Sequence, residues 1–121
     1  MANEIQIQNS IEVRNGLNIW MWPTDIQLIT QTGKRINDYL VSVGTSEQTL
    51  AINGAGTPGI LGFHNQDATN YVQIGIATTV YTWRLRAGEI ANPFRIDPGV
   101  TTLYLKANIA ACNLRVIVIE A

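Results

Sequence analysis

The sequence predicts an all-β protein: an antiparallel β-sandwich, jelly-roll-like, folded as a single domain over residues 1–121. Three observations carry this. Apolar residues recur at every second position, the repeat of a strand with one buried face. Clusters of Gly, Pro, Asn and Asp interrupt these runs at short intervals. Helical spacing is weak throughout, and the best helical stretch, "AGEIANPFRI", contains both a Gly and a Pro. Together they predict about ten short strands separated by turns, the pattern of a sandwich or jelly roll.

The first strand is expected to be long. Ile5, Ile7, Asn9, Ile11 and Val13 fall on one face, and Glu4, Gln6, Gln8, Ser10 and Glu12 on the other. Asn15-Gly16 follows, a dipeptide that tolerates the positive φ angles of a tight hairpin. "LNIWMW" then stops at Pro23, which lacks a ladder donor and suits a strand end or an edge. Residues 1–22 are read as an extended N-terminal strand available for assembly contacts. Short strands are expected at Ile26–Ile29, Tyr39–Val43, Thr49–Ile52 and Ile60–His64, with "QTGKRIND" and "INGAGTPGI" as turn-rich spacers.

The second half alternates more clearly. Strands are expected at Tyr71–Ile76, with Val72, Ile74 and Ile76 inward, and at Val80–Arg86, Pro93–Ile96, Thr101–Ala107 and Leu114–Ile119. The breaks fall at Ala77–Thr79, at Ala87–Glu89 and at Asp97–Gly99, where Pro then Gly fits the centre of a type II turn. No internal repeat or linker divides the chain.

Composition narrows the function. A chain of 121 residues buries somewhat over ~60% of its unfolded surface, so a metal or disulfide staple is unnecessary. Hydrophobic residues make up 46% and charged residues 14%, which is too apolar for disorder and poor in charge for a fully solvated surface. Cover by a partner is expected. The formal charge of −1, with no block of like charge, argues against nucleic-acid and membrane-surface partners. "MANEIQIQNS" lacks the basic start and apolar run of a signal peptide, and no apolar run is long enough to span a bilayer. Synthesis in the cytoplasm is the expectation.

The most chemical stretch is "FHNQDATNYVQIG", with the single histidine, His64, and an aspartate, Asp67. A metal there needs further imidazole, thiolate or carboxylate ligands. No second histidine exists, Cys112 has no cysteine partner, and the spaced carboxylates of a calcium loop are missing. The three serines sit in "NSI", "VSV" and "TSE", none resembling a nucleophile elbow, and "NGAGTPG" lacks the Lys-Ser/Thr ending of a phosphate loop. The expectation is therefore no enzyme, no catalytic residue, no metal and no cofactor. Asp67 and Asn70 are read as corner residues that cap backbone donors, and Cys112 as a small buried hydrophobe.

Three segments suggest contact surfaces. Trp20 and Trp22 share one strand face and Ile19 and Met21 the other, so either one set avoids the core or the strand is covered twice. In "VYTWRLR" the face Tyr81, Trp83, Leu85 is expected inward, leaving Thr82, Arg84 and Arg86 outward, either as a solvated face or as a pair of arginines that grips an acidic partner. "LRVIVIE" is apolar on both faces, with Leu114, Val116 and Val118 opposite Ile117 and Ile119, so it reads as a central strand whose second cover is another subunit.

The order "VGTSEQTLAI", "GTPGILGF", "NQDATNYVQIG", "RLRAGE" and "VTTLYLKANIAACNLRVIVIE" resembles small all-β proteins encoded among the structural genes of tailed bacteriophages. The resemblance spans Thr30 to Ile119, whereas "WMWP" departs from it. It implies a virion component without enzymatic activity, either a capsid decoration (cement) protein or a neck or tail accessory. Gly44, Gly56, Gly59, Asp67, Asn70, Gly88, Ala110 and Ala111 then serve as fold punctuation. The first functional expectation is a decoration protein that binds the major capsid protein or other virion proteins, forms a homo-oligomer and resides in the virion. Its expected interface comprises Trp20, Trp22, Arg84, Arg86, Ile117 and Ile119. The alternative is a tail- or neck-associated receptor-binding module, with a carbohydrate stacked on Trp20 and Trp22.

Overall fold

A computed structural model of the chain describes residues 4–8, 10–22, 26–31 and 35–120. It is nearly all β, as expected, with antiparallel pairing throughout and no α-helix among the described residues. The chain divides into two compact units, Met1–Thr32 and Gly33–Ala121.

The first unit contains β1 (Glu4–Gln8), β2 (Ile11–Asn15), β3 (Asn18–Trp22) and β4 (Ile26–Thr30). β1 pairs with β4, setting Ile5 opposite Ile29, and both are buried. β2 pairs with β3. The long first strand expected from alternation is thus two strands, and the alternation has a different outcome in each. In β1 Ile5 and Ile7 are buried, whereas every residue of β2 is exposed. β2 lies in a two-stranded ribbon, so neither of its faces gains cover from a third strand.

The Asn-Gly hairpin forms one residue later than its signature suggests. Asn15 pairs with Asn18, so Gly16 and Leu17 make the loop. Only Gly16 takes a positive φ, +60°, as in a Gly-X hairpin of type II′. The readings of Asn9 and Pro23 lie outside the described residues, as does part of the "QTGKRIND" spacer at 32–34.

The second unit contains β5 (Ile36–Val43), β6 (Gln48–Ala51), β7 (Pro58–Asn65), β8 (Val72–Gly75), β9 (Trp83–Leu85), β10 (Ile90–Arg95), β11 (Thr102–Ala107) and β12 (Cys112–Glu120), with one 3₁₀ turn at Asn53–Ala55. One sheet runs β10-β7-β12-β5 and the other β6-β11-β8-β9. β5 pairs with β12, β6 with β11, β7 with β10 and β8 with β9, so the first strand meets the last and each pair inward repeats the rule. This is the pairing of one long hairpin wound on itself. The β12–β7 and β11–β8 pairs complete the two sheets.

The inner faces form one core. Leu61, Phe63, Leu114, Val116 and Val118 of the first sheet meet Val72, Ile74, Leu103 and Leu105 of the second. Burying one such side chain contributes roughly 1.5–3 kcal/mol, so this layer dominates the stability of the unit. β8, β11 and β12 alternate as predicted, because a period of two with one covered face dictates it.

Three local expectations are corrected. Ile76 was expected inward but is exposed, since β8 ends at Gly75 and the chain turns back through an Ala77–Val80 bridge. The Asp97–Gly99 turn closes with Val100 N–H on the Asp97 carbonyl at 3.0 Å, but Gly99 has no positive φ, as a type II turn requires. Asp97 Oδ1 instead accepts from Gly99 N–H at 2.8 Å, which suits an Asp that opens a type I turn. Finally, the Pro93 strand begins earlier, at Ile90, and takes up its proline through an irregular register between Ala91 and Phe94.

Candidate functional site

The outer face of the β10-β7-β12-β5 sheet gathers the most distinctive side chains of the second unit. Arg115, Ile117 and Ile119 alternate outward on β12. Across the β5 register stand Leu40, Asp38 and Ile36, and across β7 stand His64, Gly62 and Ile60. Ile117 and Ile119 are half-buried and Leu40 is 66% exposed. β12 is therefore the central strand predicted, with its inner face fully covered and its outer face partly open.

A polar clamp crosses this face. Arg115 grips Asp38 bidentately: Nε lies 3.0 Å from Oδ1, and Nη2 lies 2.6 Å from Oδ2. The guanidinium bond holds the Asp38 carboxyl below its ordinary range, and Asp38 raises Arg115 in return. Beside the clamp, a shallow apolar depression of about 170 Å³ is lined by Gly62, His64, Ile90, Pro93, Arg115 and Ile117. His64 sits there half-buried.

Arg84 and Arg86 lie elsewhere, at β9, the edge of the opposite sheet. Both are exposed; Leu85 is buried and Trp83 packs against the core as predicted, whereas Tyr81 is half-buried with its hydroxyl on Glu47. Arg84 is committed: its guanidinium carbon lies 4.3 Å from the centroid of the Tyr71 ring, a cation–π contact. The backbone of Arg86 is held by Glu89, whose Oε1 accepts from Arg86 N–H at 2.6 Å. The structure therefore does not unite the arginines with Ile117 and Ile119 on one surface.

In the first unit, the backbone of Trp20 stands opposite Val13 and that of Trp22 opposite Ile11. Trp20 is 52% exposed, and so does not fill a core. Ile19 and Met21 on the other face are exposed too. The side chain of Trp22 lies outside the described residues.

Two polar arrangements escaped sequence reasoning because their partners are far apart in the chain. Glu47 accepts from Thr78 Oγ1, Thr79 N–H and Tyr81 Oη, each at 2.7 Å. These bonds lower the Glu47 carboxyl and raise the Tyr81 phenol. They hold Thr79 at φ +58°, a left-handed conformation that is uncommon outside glycine. Asn65 is fully buried, and its Nδ2 reaches the carbonyls of Asn70, Leu85 and Arg86 at 2.9, 3.1 and 3.1 Å. Its Oδ1 accepts from Asp67 N–H at 3.0 Å. Asp67 does cap the corner, accepting from Thr69 and Asn70 N–H groups at 3.0 and 2.6 Å, and these bonds lower its carboxyl. Asn70 contributes its carbonyl.

The amide-rich stretch is thus a tightly bonded corner. Cys112 is buried, and burial raises its thiol above the ordinary value. Among the described residues no three His, Cys, Asp or Glu side chains converge on a metal position. The fold and these surfaces define an antiparallel β-sandwich protein whose distinctive features are apolar faces and polar clamps. No protein-family model, curated sequence or solved structure matches the chain.

Proposed function

We propose that this chain is a structural protein of a tailed-bacteriophage virion, a jelly-roll decoration protein that binds the assembled capsid and self-associates on it. The observation that carries this reading is the placement of exposed apolar side chains. Ile11, Val13, Leu17, Ile19, Trp20, Met21 and Leu28, seven of the thirteen large exposed hydrophobics among the described residues, lie in the first unit, Met1–Thr32. A two-stranded ribbon exposing both faces is marginal alone and gains stability from a partner that covers it. The ribbon is the assembly arm, and the wound-hairpin pairing of the second unit supports the jelly-roll description. Fold alone does not assign function, so the phage assignment rests on the resemblance of Thr30–Ile119 to virion proteins.

Binding that favours the closed shell over separate subunits stabilises the shell by linkage. The test mixes purified protein with expanded capsids lacking it. Co-sedimentation and greater heat resistance of the particles are expected, and both should fall when Leu17 and Met21 are replaced by Ser. Failure to bind capsids, with retention on a glycan that Trp20→Ala abolishes, would instead establish the receptor-binding reading, which the exposure of Trp20 favours.

A further inference from the structure

Two of the chain's asparagines are followed by glycine, Asn15-Gly16 and Asn53-Gly54. Such a dipeptide is labile in water, because the backbone nitrogen after an asparagine can attack the side-chain carbonyl carbon. Glycine, having no Cβ, obstructs that approach least. Both asparagines are exposed, so exposure does not separate them. The backbone around each does.

Asn53 begins a 3₁₀ turn that the second unit holds from several sides. Its carbonyl accepts from Gly56 N–H at 3.1 Å, and the preceding Ile52 is fully buried with its N–H on the Thr101 carbonyl at 2.8 Å. A Cβ at Gly54 would stand 3.2 Å from both Asn37 Nδ2 and Tyr39 Oη, and one at Gly56 would stand 2.7 Å from Glu120 Oε1. Ring closure must swing the Asn53-Gly54 peptide, and these neighbours oppose it. Asn15 instead closes the β2–β3 hairpin, with Gly16 at φ +60°. Among the described residues, nothing lies within 4 Å of a Cβ built at Gly16. β2 is exposed along its whole length, and a two-stranded ribbon is marginally stable. Segments with so little burial open locally far more often than a core does, and each opening frees Asn15 to reach the ring-forming geometry.

We propose that Asn15 is a site of spontaneous deamidation whose conversion unfastens the β2–β3 ribbon. The Gly16 nitrogen gives up its proton and bonds to Asn15 Cγ, the Cγ–Nδ2 bond breaks, and ammonia leaves. Water then opens the resulting succinimide at either carbonyl, giving aspartate or isoaspartate. One water is consumed and one ammonia released, with no change of oxidation state. Isoaspartate carries an additional carbon in the main chain between residues 15 and 16. Hairpin register is fixed by loop length, so the Asn15–Asn18 closing pair and the adjacent Arg14–Ile19 pair no longer fit.

The full chain is aged at mildly alkaline pH, folded and in denaturant, and sampled by peptide mass spectrometry with fragmentation that separates aspartate from isoaspartate. In denaturant both dipeptides should convert at similar rates, whereas in the folded chain Asn15 should convert severalfold faster than Asn53. Equal rates in the folded chain, or an Asn15 that keeps its amide while the denatured chain converts, would overturn the site. Hydrogen exchange reads the ribbon: amides of residues 11–22 should exchange faster in aged chain carrying isoaspartate than in fresh chain. Asn15→Ser, which has no side-chain amide to lose, should keep its exchange pattern through the same ageing. Unchanged exchange in the isoaspartate form, or an equal rise in aged Asn15→Ser, would overturn the unfastening. Under the assembly-arm reading, on which this step alone rests, aged chain also loses capsid binding. Fresh chain that never binds would count against that reading and not against deamidation, which the mass measurement decides.

Discussion

Asn65 on β7 donates through Nδ2 to the Leu85 carbonyl on β9 at 3.1 Å, so a single buried carboxamide pins one sheet of the sandwich to the other. The same nitrogen reaches the Asn70 and Arg86 carbonyls, and Oδ1 holds Asp67 N–H. Asn65→Leu keeps the volume but removes four hydrogen bonds to the backbone, and of those groups the Arg86 carbonyl keeps a second donor, Glu89 N–H at 3.1 Å. Unmade buried bonds of this kind cost about 1–3 kcal/mol each at most, and partial rehydration at the corner reduces the sum. A loss of about 2–4 kcal/mol in denaturant-derived stability is expected. A loss below about 1 kcal/mol would show that the pin is redundant.

Glu47 anchors the 77–80 turn and shifts a tyrosine. Glu47→Gln weakens the hydrogen bond from Tyr81 Oη and removes the carboxylate charge, both of which raise the phenol, so one of the four tyrosines should titrate at lower pH than in the unmodified chain. Spectrophotometric titration of the two proteins reads this directly. The variant should also melt at a lower temperature, because Thr79 loses the carboxylate that holds its left-handed backbone.

Acid should weaken the fold through Asp38, Glu47 and Asp67, whose carboxyls all lie below their ordinary values of 3.8, 4.5 and 3.8. A carboxyl lowered by folding adds stability that is complete above its unfolded value and is lost as pH falls through the lower folded one. Melting temperature should therefore hold from neutrality to about pH 5 and decline below about pH 4. These groups lie at the surface, so the decline is gradual. The triple change Asp38→Asn, Glu47→Gln, Asp67→Asn should start lower and respond less to acid over that window. An equally steep decline in the triple variant would place the acid sensitivity elsewhere.

Gly75 is a site of close approach. A Cβ there would lie 1.8 Å from the Val80 carbonyl oxygen, which is backbone and cannot rotate away. Gly75→Ala must push the 77–80 turn off β8, and a cost of about 1–3 kcal/mol is expected from overpacking of this kind. Thermal unfolding measures it, and an unchanged midpoint would refute the contact.

Cys112 should be inert in the folded protein. Its exposure is 1%, and burial disfavours the thiolate that thiol reagents attack. An aromatic disulfide reagent should label it only on unfolding, at the rate of global opening. Rapid labelling under native conditions would contradict that burial.

Much of the second unit was legible from residues alone. The inner faces of β8, β11 and β12 follow from alternation, because a strand's side chains must point to opposite sides whatever its neighbours are. The Asp67 corner was legible for a similar reason: an aspartate at a turn reaches donors two and three residues ahead in its own chain. The Asn65 pin, the Glu47 anchor and the Asp38–Arg115 clamp were not. The Glu47 and Arg115 partners lie 31 to 77 residues away, and no local pattern encodes such distances.

Sequence alone thus determined the all-β class, the inward residues of the stronger strands and the sites of most turns, all of which are local consequences of backbone geometry. Tertiary structure alone decided the strand order, the exposure of β2 despite its apolar residues, and the separation of Arg84 and Arg86 from Ile117 and Ile119. Period two says that a strand has two faces. Which face is covered, and by what, depends on which strands pair, and that choice is made by packing between segments remote in the chain.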